Sequence, residues 1–210
     1  MLIKNPQSQG QKPPETVSEQ ALQNALEDAP VADCIHCLGR CKHLPSAARS
    51  TALYRLSLES DTRLQQVLLN HLIPDLSADE LEPLLSLLAS EKANLRNQVI
   101  DALAQIPDGE TADALQGAIE DRLQADDPDV RILTLNLIAA LERPALLPAV
   151  AKVIRTDPDI NVCMTALDAL MVLGTDADWP LAQVLGERFP DDPFVRFGVD
   201  RAGQTLLGDG

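Results

Sequence analysis

The chain has 210 residues, 32 acidic against 17 basic side chains for a formal net charge of −15, and 45% hydrophobic but only 2% aromatic residues. That length suits one domain or one repeat array with a tail, and a Leu/Ala-rich balance so poor in aromatics fits stacked helices better than a β-sandwich. The acidity repels phosphate backbones, so no nucleic-acid partner is expected, and no apolar run is long enough to insert in a membrane.

The first residues show no signal-peptide core. Residues 1–15 carry Pro6, Gly10, Pro13 and Pro14 among Gln7, Gln9 and Gln11, a composition that predicts a disordered tail. Thr16-Val17-Ser18-Glu19 fits a capping box. It opens a short helix with Val17, Ala21, Leu22, Ala25 and Leu26 on one side, stopped by Pro30. That helix is expected to fold back as a cap, because the ends of a repeat array need covering.

Next comes Cys34-Ile35-His36-Cys37-Leu38-Gly39-Arg40-Cys41-Lys42-His43, five soft or borderline ligands in ten residues. Cys34 and Cys37 have chelating spacing, and Cys41 with His43 completes a tetrahedral set that zinc accepts; His36 is an alternate nitrogen ligand. Gly39 permits the tight turn of such a loop. An iron–sulfur cluster on the three thiolates, with a fourth ligand from elsewhere, is the other metal reading. The third reading is an unmetallated Cys-rich turn packed against the first helix. Three clustered cysteines and one solitary one, Cys163, suit a reducing cytoplasm. Residues 16–45 are thus expected to form a helix followed by a small Cys/His element.

From residue 46 to 207 the sequence repeats. Asp126-Asp127-Pro128-Asp129-Val130-Arg131 precedes an apolar run, as do Asp157-Pro158-Asp159-Ile160-Asn161-Val162 and Asp192-Pro193-Phe194-Val195-Arg196. Weaker copies centre on Arg63 and Arg96, giving steps of 33, 35, 30 and 35 residues from Arg63 to Arg196. A period in this range marks a repeat architecture. In the three strong copies an Asp is expected to cap exposed backbone N–H groups with Pro at the first helical position. A partner helix precedes each one, among them the helix opened by Ser77-Ala78-Asp79-Glu80 with Leu81, Leu84, Leu85 and Leu88 inward. Others are predicted over residues 112–123, from Pro144, and over residues 177–189. Each unit is a helical hairpin that cannot bury its apolar faces alone.

The D-P-x-V-R pattern before a helix of small and apolar residues resembles the HEAT-repeat family. The resemblance implies an all-α fold, a right-handed α-α superhelix of about five hairpins. In that family the Asp and Arg of successive second helices form a ladder between repeats, which implies Asp129, Arg131, Asp159 and Arg196 as ladder residues here. Asn161 stands where Arg is expected, weakening one rung. Some enzymes share the fold: its di-iron hydroxylases use His-Glu dipeptides, which this chain lacks, and its DNA glycosylases need a basic groove. A bilin-lyase-like enzyme remains an alternative.

Charge is unevenly spread. Residues 34–74 hold five basic side chains against Glu59 and Asp61, whereas residues 75–210 hold 25 acidic against 10 basic, a net of −15. His71 reads as a satisfied helix histidine and Cys163 as a small buried hydrophobe. Trp179, Phe189, Phe194 and Phe197 are expected either to plug the core of the last repeat or to form an exposed aromatic patch for a partner. No Ser/His/Asp arrangement, Gly-rich phosphate loop or isolated carboxylate pair stands out. The sequence therefore points to a non-catalytic scaffold that binds a basic protein on an acidic concave face. The alternative is an assembly factor that carries a metal centre for a metalloenzyme client.

Overall fold

A computed structural model describes residues 17–208. The expected tail, residues 1–15, lies outside the described residues, as do Thr16, Asp209 and Gly210. Among the described residues every regular element is helical, with twelve α-helices, four single-turn 3-10 helices and no strand. The contacts divide the chain between Asp75 and Leu76.

The first unit contains α1 (Glu19–Asp28), α2 (Val31–Leu38), α3 (Ser46–Leu58) and α4 (Thr62–Leu72). Ser18 caps α1 by accepting from the Ala21 N–H at 3.3 Å, two residues later than a box built on Thr16 would require. Leu22, Ala25 and Leu26 face inward as their spacing predicts, while Ala21 is exposed. Helix α1 packs on α2 and α3, and α4 packs on α2 and α3. The residues on either side of position 46 therefore share one core, and the compact unit runs on to Asp75 instead of ending with the Cys-bearing segment. Leu22, Leu38, Leu56, Leu64 and Leu68 are all excluded from solvent, each worth about 1.5–3 kcal/mol of transfer free energy.

The second unit contains α5 (Ala78–Ser86), α6 (Ala93–Ala104), α7 (Glu110–Arg122), α8 (Pro128–Leu141), α9 (Leu147–Thr156), α10 (Ile160–Leu173), α11 (Trp179–Arg188) and α12 (Pro193–Leu207). Helices α7 and α8, α9 and α10, and α11 and α12 pair as hairpins, and α6, α8, α10 and α12 pack on one another in that order. The expected caps appear at most starts. Ser77 and Glu80 form the capping box of α5. Asp127 caps α8 and Asp192 caps α12, each followed by Pro at the first helical position. Helix α10 departs from this rule. Its cap is Asp159, whose carboxylate accepts from Asn161 and Val162, so Asp157 and Pro158 stay outside the helix.

Glycine sets the spacing of the last two hairpins. A Cβ on Gly198 would come within 2.4 Å of Met164 Cε, and one on Gly203 within 3.1 Å of the Trp179 ring. Trp179 therefore lies flat on α12, and α12 approaches α10 more closely than a side chain would allow.

Candidate functional site

The Cys/His segment is helical where the sequence suggested a loop. Val31, Cys34, Ile35 and Leu38 fall at positions i, i+3, i+4 and i+7 of α2, so Cys34 occupies a core position and is fully buried. Cys37 is half-buried one turn on, with its Sγ 3.9 Å from Ala21 O, and Cys41 lies past the helix with its Sγ 3.5 Å from Cys37 O. His36 is exposed, and His43 is exposed and paired with Asp75 at 3.2 Å. Among the described residues no three His, Cys, Asp or Glu side chains are grouped to hold a metal ion. Cys34, Cys37, Cys41 and His43 as placed do not fit one tetrahedral zinc ion, nor do the three thiols fit one cluster.

Burial also pushes the Cys34, Cys37 and Cys41 thiols up from their ordinary range. A raised thiol value makes the nucleophilic thiolate scarcer at neutral pH. The segment is closed by His71 of α4 instead. Its Nε2 lies 3.0 Å from Leu38 O and 3.3 Å from Cys41 O, with Nδ1 3.0 Å from Val67 O. The ring thereby satisfies carbonyls left over at the end of α2, the bland role its sequence position suggested.

The four implied ladder residues fare differently. Arg131 is buried at the start of α8. Its Nε and Nη2 grip Asp157 Oδ2 and Oδ1 at 2.8 and 3.1 Å, and its Nη1 donates to Ala125 O and Asp126 O. The Asp157 bond holds its guanidinium charged by raising an already high pKa. Asp159 is committed to capping α10 and Asp129 is exposed. Arg196 is also exposed, its Nη2 reaching only Pro190 O at 3.3 Å. Sequence reasoning missed Asp157. In Asp157-Pro158-Asp159 the second carboxylate takes the cap, which leaves the first to turn inward. Arg188 of α11 was missed too; it donates to Ile154 O and Asp157 O, and lies 3.4 Å from the buried Cys163 Sγ.

These arginines shape the surface of the second unit. Arg96 donates to Ser90 O, Arg143 to Ile106 O, and Arg122 pairs with Glu82. With Arg131 and Arg188, much of the basic complement is turned onto the protein's own backbone or carboxylates. Meanwhile Glu110, Asp113, Glu120 and Asp121 of α7 point outward. On the second helices exposed acid is sparser, at Asp101, Asp129, Asp168 and Asp200, and Asp168 is paired with Arg201. The aromatics of the last hairpin do not form one plug. Trp179 packs on Gly203 and the Arg188 guanidinium lies 5.1 Å above the Phe189 ring, but Phe194 and Phe197 are 78% and 68% exposed. No described helix is long and apolar enough to cross a membrane.

No protein-family model matches the chain, and no curated protein matches it either.

Proposed function

We propose that the protein is a non-catalytic binding module, a HEAT-like stack of helical hairpins whose acidic surface holds a basic segment of another protein. The observation that carries this reading is the inward commitment of Arg96, Arg131, Arg143 and Arg188 to carbonyl groups beside outward-facing carboxylates on α7. Burying the positive charge leaves the solvent-facing side chains more acidic than the formal balance. A rigid stack of helices gives a long surface on which such charge steers a partner at modest salt.

The hairpin pairing and the ordered packing of α6, α8, α10 and α12 support a stacked array, whose right-handed superhelical sense is what the HEAT resemblance implies. In that array the second helices line a concave face, suited to a helix or an extended segment. The test is fluorescence anisotropy with labelled peptides of equal length that are basic, neutral or acidic. Only the basic peptide is expected to bind, and its affinity should fall steadily with added salt. Equal binding of all three, or salt-insensitive binding, would remove the basis of the proposal.

A further inference from the structure

The layer of first helices in the second unit is interrupted. Helix α5 packs on α7 and α9 packs on α11, but α7 and α9 do not close on each other in the same way. Beside α7, against the end of α8 and the turn that leads into α9, lies a cleft of about 310 Å³ whose floor includes Ala112, Leu115, Ile119, Leu141 and Leu146. A second opening of about 340 Å³ lies between the C-terminal ends of α7 and α9, bounded by Leu123, Gln124, Lys152 and Thr156.

The rim of the first cleft carries Asp108, Asp113 and Glu142, all exposed. Its one cation, Arg143, is half-buried with Nη2 donating to Ile106 O. An apolar floor under three carboxylates is complementary to an aliphatic side chain flanked by lysine or arginine. The backbone around the mouth is held in an unusual form. Gly109 has φ 143°, and Glu142 is left-handed at φ 50°, ψ 33°, the one non-glycine among the described residues with positive φ. A long acidic side chain is disfavoured there relative to Gly or Asn, and it aligns a carboxylate with the cleft.

We propose that the cleft between α7 and the α8–α9 turn is the docking site for a basic amphipathic segment of a partner protein, seating an aliphatic side chain on its floor and cations on Asp108, Asp113 and Glu142. This rests on the acidic-surface reading above but moves the contact from the concave second-helix face to the cleft beside α7. It also adds a requirement for an apolar anchor.

The probe is a fluorescein-labelled amphipathic Leu/Lys peptide, beside a counterpart with every Leu replaced by Ser, read by anisotropy on the full chain. Three variants alter the cleft. Ala145→Trp fills the mouth, Asp113→Lys reverses a rim charge, and Glu142→Asn removes a charge while suiting the left-handed backbone. Glu187→Lys, exposed on α11, is the control for net charge. Circular dichroism verifies each fold. Ala145→Trp and Asp113→Lys are each expected to weaken the Leu/Lys peptide by about tenfold, Glu142→Asn by a few-fold, and Glu187→Lys by less than about twofold. The Leu-to-Ser peptide should bind about tenfold more weakly than its parent. If Asp113→Lys and Glu187→Lys weaken binding equally, or Ala145→Trp has no effect, the cleft is not the site, although the acidic-surface reading survives. If neither peptide binds the unaltered protein, both fail.

Discussion

The helices before Asp75 and those after Leu76 share one device, an arginine driven into backbone carbonyls, yet they load it differently. In the first unit Arg49 donates to Leu72 O at 2.6 Å, and Arg55 reaches Leu26 O and Ala29 O while its charge is met by Glu59 on the next turn. In the second, Arg131 grips carbonyls and also a carboxylate from another hairpin, with side-chain exposures of only 9% for Arg131 and 7% for Asp157. A carbonyl satisfies an N–H without changing net charge. A buried carboxylate neutralises the cation as well, but it makes each partner dependent on the other. Arg55 and Glu59 lie four residues apart at one helix end, so losing that pair should act locally, whereas losing the Arg131–Asp157 pair should loosen two hairpins.

The largest effect should come from Asp157→Ala. It leaves the Arg131 guanidinium buried without its counter-charge, which costs about 3–5 kcal/mol. It also takes an acceptor from the Asp159 N–H, 2.9 Å away. Urea unfolding followed by hydrogen exchange should show faster exchange in α8 and α10, with α1 to α4 unchanged. A loss below about 1 kcal/mol would mean that the pair behaves like an exposed one, and the contrast between the units would collapse.

Much of the helical order was legible because the apolar spacing and the caps agreed. Ser77 with Glu80, Asp127 with Pro128, and Asp192 with Pro193 all start helices where the chain said they would. The Cys segment was harder to read. Cysteine is both a ligand and a small hydrophobe, and counting Cys34 as apolar restores a helical stripe through Val31, Ile35 and Leu38. Arg131 was legible as a rung, but its partner was not, since Asp157-Pro158-Asp159 offers two carboxylates for one cap. The cleft beside α7 left no sequence signal, because it arises where α7 faces the α8–α9 turn, about 30 residues further along the chain.

A middle-sized effect should separate apolar packing from metal binding in the first unit. Cys34 is fully buried, so Cys34→Ser places a hydroxyl in an apolar site at a cost of about 1–3 kcal/mol. Cys37→Ser, half-exposed, should cost less than about 0.5 kcal/mol. A strong chelator should leave the melting temperature of the unaltered protein unchanged. Destabilisation by the chelator, with equal losses for Cys34→Ser and Cys37→Ser, would instead show that a metal ion holds this segment.

The smallest effect is a pH dependence confined to the first unit. The Arg63 guanidinium and the N–H groups of Arg63 and Leu64 hold Asp61 down from its ordinary 3.8 to about 2. Burial alone would raise Glu59, but the Asp61 and Ser60 N–H groups and Arg55 outweigh it and leave Glu59 below its ordinary value. Both folded-state values are depressed. Their stabilisation is therefore present above the ordinary carboxylate range and is lost as pH falls towards about 2. Asp61→Asn keeps a side chain that caps α4 as well as Asp does and removes only the titrating charge. Near neutral pH it should be slightly less stable than the parent, by no more than a largely exposed pair contributes. Below pH about 4 its stability should fall less steeply than the parent's, measured by urea midpoints at successive pH values. Identical acid profiles would assign the dependence to Glu59, and with it to Arg55, whose contacts with Leu26 O and Ala29 O join α3 to the end of α1.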